Sequence, residues 1–203
     1  MSTLKTTETN KIPKTARGVR TRNKLLEAAE WEFGSKGFYE TSIGEITRRA
    51  EVALGTFYVY FESKDEIFRA LVGHMSRMTR QWVAEHAAEA KDRIEAEELG
   101  LSSFIDFVRQ HQNLYRIIME AQFVAPDAYR EHYENFAEGY RRNLTEAAKR
   151  GEISEGDVDV RAWSLIGMSV FLGLRFGVWD EDAQASEIAE RAVDLIGQGL
   201  KPR

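Results

Sequence analysis

The 203-residue sequence is 43% hydrophobic and 30% charged, with three prolines, no cysteine and a net charge of −5. A chain of this make-up can bury a sizeable core, and it excludes a wholly disordered protein, a disulfide framework and a thiolate metal site. The charge is uneven: residues 1–24 carry +6, residues 25–64 carry −3 and residues 65–203 carry −8, which confines any attraction to nucleic acid or an anionic surface to one end. The lack of cysteine, and of an apolar stretch of signal-peptide length at the N-terminus, sets the expectation of a cytoplasmic protein.

Residues 1–16 are rich in Thr and Lys, lack apolar periodicity, and are expected to form a disordered basic tail. A helix is predicted from Gly18 to Ser35, with Leu25, Leu26, Ala29 and Phe33 on one face and Gly37 as its stop. Ser42 and Glu45 have capping-box spacing and open a short helix to Ala50. After a turn at Glu51 and Val52, a second short helix runs from Ala53 or Leu54 to Tyr60. Ser63 and Glu66 repeat the box ahead of a long helix to about Glu89, striped by Ile67, Leu71, Met75, Met78 and Trp82. The charged stretch 91–98 reads as a helix end or loop. Helices are predicted near Leu101–Gln110 and Asn113–Val124, from Pro126 or Asp127 to Arg150, over the apolar segment Val160–Trp179, and from Ala185 to Leu200. No segment reads as a strand, so the expected fold is all-α.

Long helix, short helix, tight turn, short helix is the layout of a DNA-reading helix-turn-helix, whose second short helix enters the major groove. Val52 and Phe57 can fill the seam between the helices, and Phe61 and Ile67 can anchor the return of the chain. Leu54, Thr56, Tyr58 and Tyr60 are left on the other side, and Gly55 lets the backbone approach DNA closely. Tyrosine hydroxyls so placed can donate to phosphate oxygens, which positions the protein without reading sequence.

Residues 17–70 closely resemble the DNA-binding domain of TetR-family regulators. The resemblance is carried by Lys24–Phe38 as the opening helix, Thr41–Ile46 at the start of the second, Gly55–Phe61 as the recognition helix and Ser63–Glu66 at the start of the linking helix. It implies phosphate contacts from Thr41 or Ser42, Tyr58, Tyr60 and Lys64, with base reading around Leu54, Gly55 and Thr56. Arg17, Arg20 and Arg22 stand where the family often places minor-groove or phosphate contacts. On this reading Tyr58→Phe with Lys64→Ala weakens operator binding with little change in stability. Glu51 stands where the family often has Gly, and Ala53 where it often has a capping Ser. The implied domains are a tail at 1–16, a helix-turn-helix at 17–62, and a helical bundle at 63–203 for ligand binding and dimerisation.

Between Ala162 and Trp179 the only charged residue is Arg175, and Gly167, Gly173 and Gly177 allow helices to approach. The length is marginal for a membrane span and Arg175 lies inside it, so burial in a homodimer, through helices near 160–179 and 185–200, is the better account. Leu172→Glu is expected to split such a dimer. Tyr129, Tyr133, Phe136 and Tyr140 share one helix face, and with Phe107, Tyr115, Met119 and Phe123 they are placed to line a pocket for a hydrophobic or aromatic effector, with His111, Glu120, Gln122 or Arg175 as orienting polar groups. A buried Arg175 would require an anion. No Gly-x-Ser-x-Gly, phosphate-cradling Gly loop, His-Glu-x-x-His or Gly-x-Gly-x-x-Gly occurs, and the four histidines lack metal-pair spacing, so neither an enzyme nor a cofactor is expected. The resemblance implies a repressor released from its operator by an effector. An effector-independent DNA-binding protein and an activator stay open as alternatives, and a cavity of several hundred Å3 would favour the ligand-gated switch.

Overall fold

Helical periodicity runs through the whole described chain, and no strand occurs among the described residues. The computed structural model describes residues 13, 15–180 and 182–200. The chain divides into two units, Met1–Leu71 and Val72–Arg203, and the division falls inside one long helix. Of the expected basic tail, residues 1–12 and 14 lie outside the described residues.

The first unit holds α1 (Ala16–Lys36), α2 (Ile43–Arg49), α3 (Leu54–Tyr60) and the opening turns of α4 (Lys64–His86). The Thr15 hydroxyl accepts from Gly18 N at 3.1 Å and so starts α1 ahead of the expected Gly18. Both halves of the first capping box form: Glu45 N donates to Ser42 Oγ at 3.2 Å, and Ser42 N donates to Glu45 Oε2 at 2.9 Å. The second forms by half. Glu66 N donates to Ser63 Oγ at 3.1 Å, while the Glu66 carboxylate accepts from Glu62 N instead of Ser63 N. Ala53 gives α3 no side-chain cap. Inside, Phe33, Phe38 and Phe68 pack ring on ring at 5.1–5.7 Å between centroids, and Leu25, Ile46, Phe57 and Ile67 are fully buried.

The turn between α2 and α3 holds Glu51 at φ 56°. A side chain in that left-handed region costs roughly 1–2 kcal/mol that glycine avoids. Glu51→Gly is therefore expected to stabilise the unit by about 1 kcal/mol, after the extra flexibility of the unfolded glycine is allowed for. Denaturant unfolding checks it, and an unchanged or lowered midpoint contradicts it.

The second unit holds the rest of α4, α5 (Arg93–Gln110), α6 (Gln112–Val124), α7 (Pro126–Lys149), α8 (Val158–Gly173), a π-helical segment (Leu174–Trp179) that continues α8, and α9 (Ala185–Leu200). The expectation of a loop or helix end over 91–98 is corrected. Asp92 caps α5, its Oδ1 accepting from Glu95 N at 2.9 Å, and Arg93 and Glu97, one turn apart, pair at 2.8 Å. Helix α5 lies at the centre, packed against α6, α7, α8, the π segment and α9. A Cβ at Gly173 would stand 2.7 Å from the Phe104 ring, and one at Gly177 would stand 2.7 Å from Val108, so glycine is what lets the helices meet there. Arg109 donates to Phe176 O and Ala183 O, tying the π segment to the start of α9.

The outer side of α8 is different. Val160, Trp163, Gly167 and Phe171, at helical spacing, form an apolar stripe; Phe171 is 71% exposed, and nothing approaches Gly167. Trp179 and Leu195 are also largely exposed. The 22 residues Val158–Trp179 are long and apolar enough to cross a membrane by length and composition. Leu172 instead faces inward, packed on the cluster of Leu101, Ile105, Ala185, Ile188 and Ala189. It is therefore the wrong probe of the outer face, and Phe171 replaces it.

Candidate functional site

In the first unit, helix α3 presents Leu54, Gly55 and Tyr58 to solvent, with Leu54 53% and Tyr58 48% exposed, while Phe57 is wholly buried. Thr56 and Tyr60 are half-buried. One short helix thus buries Phe57 and turns Leu54, Gly55, Tyr58 and Val59 outward. On α1, Arg17 and Arg20 are exposed, and the Arg22 guanidinium lies over the Phe61 ring at 5.2 Å.

Two expected phosphate contacts are corrected. Thr41 is buried, with its hydroxyl at 2.8 Å from Gly37 O and 3.1 Å from Glu32 O. It closes the turn between α1 and α2 and offers no donor outward. The Lys64 ammonium donates to Phe38 O at 2.7 Å, Thr41 O at 2.8 Å and Tyr39 O at 3.3 Å, and sits 4.4 Å from the Phe38 ring centre. All three of its protons are spent inside the domain. Ser42 stays exposed, but its hydroxyl and its N–H both donate to Glu45 Oε2. The hydrogen bond from Lys36, then those from Ser42, hold the Glu45 carboxyl down at about 2. Glu32 is buried. Burial pushes its carboxyl up, but hydrogen bonds from Lys36 and Arg49 outweigh that and leave it below the usual carboxylate range. Arg49, bonded to Glu32 at 2.7 Å and lying over Trp31, is part of this framework.

The second unit holds a partly open cavity of about 530 Å3 between α4, α5, α6, α7 and α8. Six of the expected effector residues line it: Phe107, His111, Tyr115, Tyr133, Phe136 and Tyr140. The Tyr115 hydroxyl donates to Val170 O at 3.0 Å, and burial pushes it up to about 12. Burial likewise lowers His111, whose ring packs against Phe107 at 4.5 Å.

Three expected residues are corrected. Met119 does not line the cavity, and Phe123, 77% exposed, points away from it. Arg175 is not buried: it stands at the surface, paired with Asp180 at 2.9 Å, so the anion it needs is supplied within its own segment. Besides His111, Tyr115, Tyr133 and the Tyr140 of the same α7 stripe, the cavity is lined by polar groups not singled out from sequence: His132 on α7, Arg80 on α4, and Arg93 and Glu97 on α5. Burial raises Glu97 despite the Arg93 charge beside it, and burial raises Tyr140 likewise, with the Glu97 charge adding to it. Their one visible signal was the spacing His132, Phe136, Tyr140, which continues a helical stripe with a polar group at each end.

An exposed short helix behind a tight turn is the layout of a helix-turn-helix DNA-binding domain. Residues 25–71 match the model of bacterial regulatory proteins, tetR family. Over 196 residues the chain is 28% identical to the HTH-type transcriptional regulator YdgC of Bacillus subtilis, covering 93% of this chain and 96% of that one. It is 25% identical over 180 residues to the fatty acid metabolism regulator protein of the same organism, covering 85% and 86% of the two chains. Its fold matches that of the transcriptional regulator FadR from Bacillus subtilis in complex with stearoyl-CoA, with a TM-score of 0.75 at 21% identity, over 86% of this chain and 96% of that one. Residues 25–71 thus carry the DNA-binding region of the tetR family, and over most of its length the chain is similar to transcriptional regulators.

Proposed function

We propose that the protein is a homodimeric cytoplasmic repressor, released from its operator when a long-chain acyl compound enters the cavity of the second unit. The observation that carries this reading is the cavity itself. At about 530 Å3 it falls within the ~300–1,000 Å3 of small-molecule sites. Apolar and aromatic side chains such as Phe104, Phe107, Ile118 and Val170 supply the larger part of its wall area, with charged and polar groups among them. A body that served only to dimerise would have no use for such a space, since interiors pack close to solid density. That a protein of the same fold binds stearoyl-CoA supports an acyl ligand.

Leu54, Gly55 and Thr56 read base edges, Tyr58 and Tyr60 hold phosphates, and Arg17, Arg20 and Arg22 add charge along the backbone. The stripe of Val160, Trp163, Gly167 and Phe171, with Trp179 and Leu195, is covered by a second copy, which places two recognition helices on neighbouring half-sites. Helix α4 begins at Lys64, shortly after α3, and the same helix lines the cavity with Met75, Thr79, Arg80 and Val83. An effector that prefers one position of α4 biases the DNA-binding state through it.

The test is fluorescence anisotropy of a labelled operator duplex on which stearoyl-CoA is titrated. Dissociation at micromolar effector, with no effect of free coenzyme A, is expected. An operator complex indifferent to stearoyl-CoA would sink the acyl reading.

A further inference from the structure

Among the described residues three cations line the cavity, Arg80, Arg93 and Arg142, the last of them exposed. Arg93 is paired with Glu97 at 2.8 Å, and Tyr140 hydrogen-bonds to Glu97, so that cluster is closed on itself. Arg80 is different. Its Nε donates to Ser76 O at 3.1 Å, and no carboxylate lies within ion-pair distance of its guanidinium among the described residues. Facing it from α7 is His132, buried, edged by Tyr133 at 4.8 Å and Phe136 at 5.1 Å, with no hydrogen-bond partner on Nδ1. Burial, and then the Arg80 charge, hold His132 down to about 4, so the ring is neutral at physiological pH and keeps one N–H to donate. A buried polar atom without a partner is rare in a folded protein, and here it lines a cavity beside an unpaired guanidinium.

We infer that Arg80 and His132 form the anchor for an oxyanion on the effector, with the apolar chain running from there along Phe136, Phe107 and Ile118. The planar guanidinium suits a carboxylate or a phosphate, and the imidazole N–H adds a second donor from the opposite wall. The inference rests on the acyl-effector reading and narrows it: the ligand is an amphiphile whose negative group lies inside the cavity. A neutral ester or alcohol of the same chain length would leave the Arg80 charge unmet.

Binding of palmitate, methyl palmitate and palmitoyl-CoA to the full chain and to Arg80→Met, by titration calorimetry below the micellar concentration, tests this. Wild type is expected to bind palmitate at least about tenfold more tightly than the ester, the usual scale of a charged hydrogen bond. Arg80→Met is expected to bind the two equally, with ester affinity unchanged. Loss of affinity in Arg80→Met for palmitoyl-CoA alone also supports the anchor, with a phosphate as its oxyanion. Should Arg80→Met fail to fold, Arg80→Gln, which keeps a polar side chain, serves the same comparison. Affinities that do not respond to either substitution overturn the inference and leave the acyl reading standing. Failure of all three ligands to bind wild type overturns both.

Discussion

Phe171→Glu is expected to turn the protein into a monomer that keeps its fold and loses operator binding. Phe171 is 71% exposed in the single chain, so the substitution removes almost nothing from the core. Full burial of a phenylalanine stabilises by about 1.5–3 kcal/mol, and a two-fold interface counts the loss twice. Burying a carboxylate against the apolar stripe of a partner adds several kcal/mol more. Together these weaken the dimer by about a thousandfold or more. Light scattering gives the mass and circular dichroism the fold. A stable dimer carrying Phe171→Glu would remove the interface from α8. Leu172→Glu, by contrast, strikes the cluster around Leu101 and Ile105 inside the unit and is expected to unfold it.

The second large effect is Lys64→Ala. Three backbone carbonyls, of Phe38, Tyr39 and Thr41, lose their donor at once. The Tyr39 bond is exposed and water can replace it; the other two are partly buried. An unmet buried acceptor costs about 1–3 kcal/mol, so a loss of roughly 2–4 kcal/mol of stability in the first unit is expected. The measurement is denaturant unfolding followed in parallel with operator affinity. Intact stability with reduced, more salt-independent DNA binding would instead return Lys64 to the phosphate role that the resemblance implies. Tyr58→Phe is the cleaner probe of a phosphate contact, because half of Tyr58 already faces solvent.

These two cases mark where the sequence could be read and where it could not. Local signals carried well: Ser42 and Glu45 form the capping box that their spacing implies, Pro126 opens α7, and Phe57 and Phe61 fill the interior while Leu54 and Tyr58 face out. Long-range consequences did not carry. Nothing in the spacing tells that the Lys64 ammonium reaches back some twenty-five residues to the carbonyls after α1, or that the Thr41 hydroxyl is used up there. On α6, Tyr115, Met119 and Phe123 look like one face because they lie four apart. Each such step advances about 40° around the helix, so the row drifts off the buried face that Leu114, Ile117, Ile118 and Ala121 define. Arg175 misled for a related reason. The apolar run around it owes its character to an outer face as much as to a core, so a charge within the run can stand in solvent. The cavity's polar groups were hidden because Arg93 and Glu97 sit in a stretch whose charge density resembles a loop.

Whether α3 reads DNA from a dimer is decided by selecting bound sequences from a random duplex pool at two salt concentrations. An enriched palindrome is expected, its half-site centres about one helical turn (~34 Å) apart or somewhat more, with affinity falling as salt rises. Folded, dimeric protein that enriches no sequence at either salt would contradict that reading.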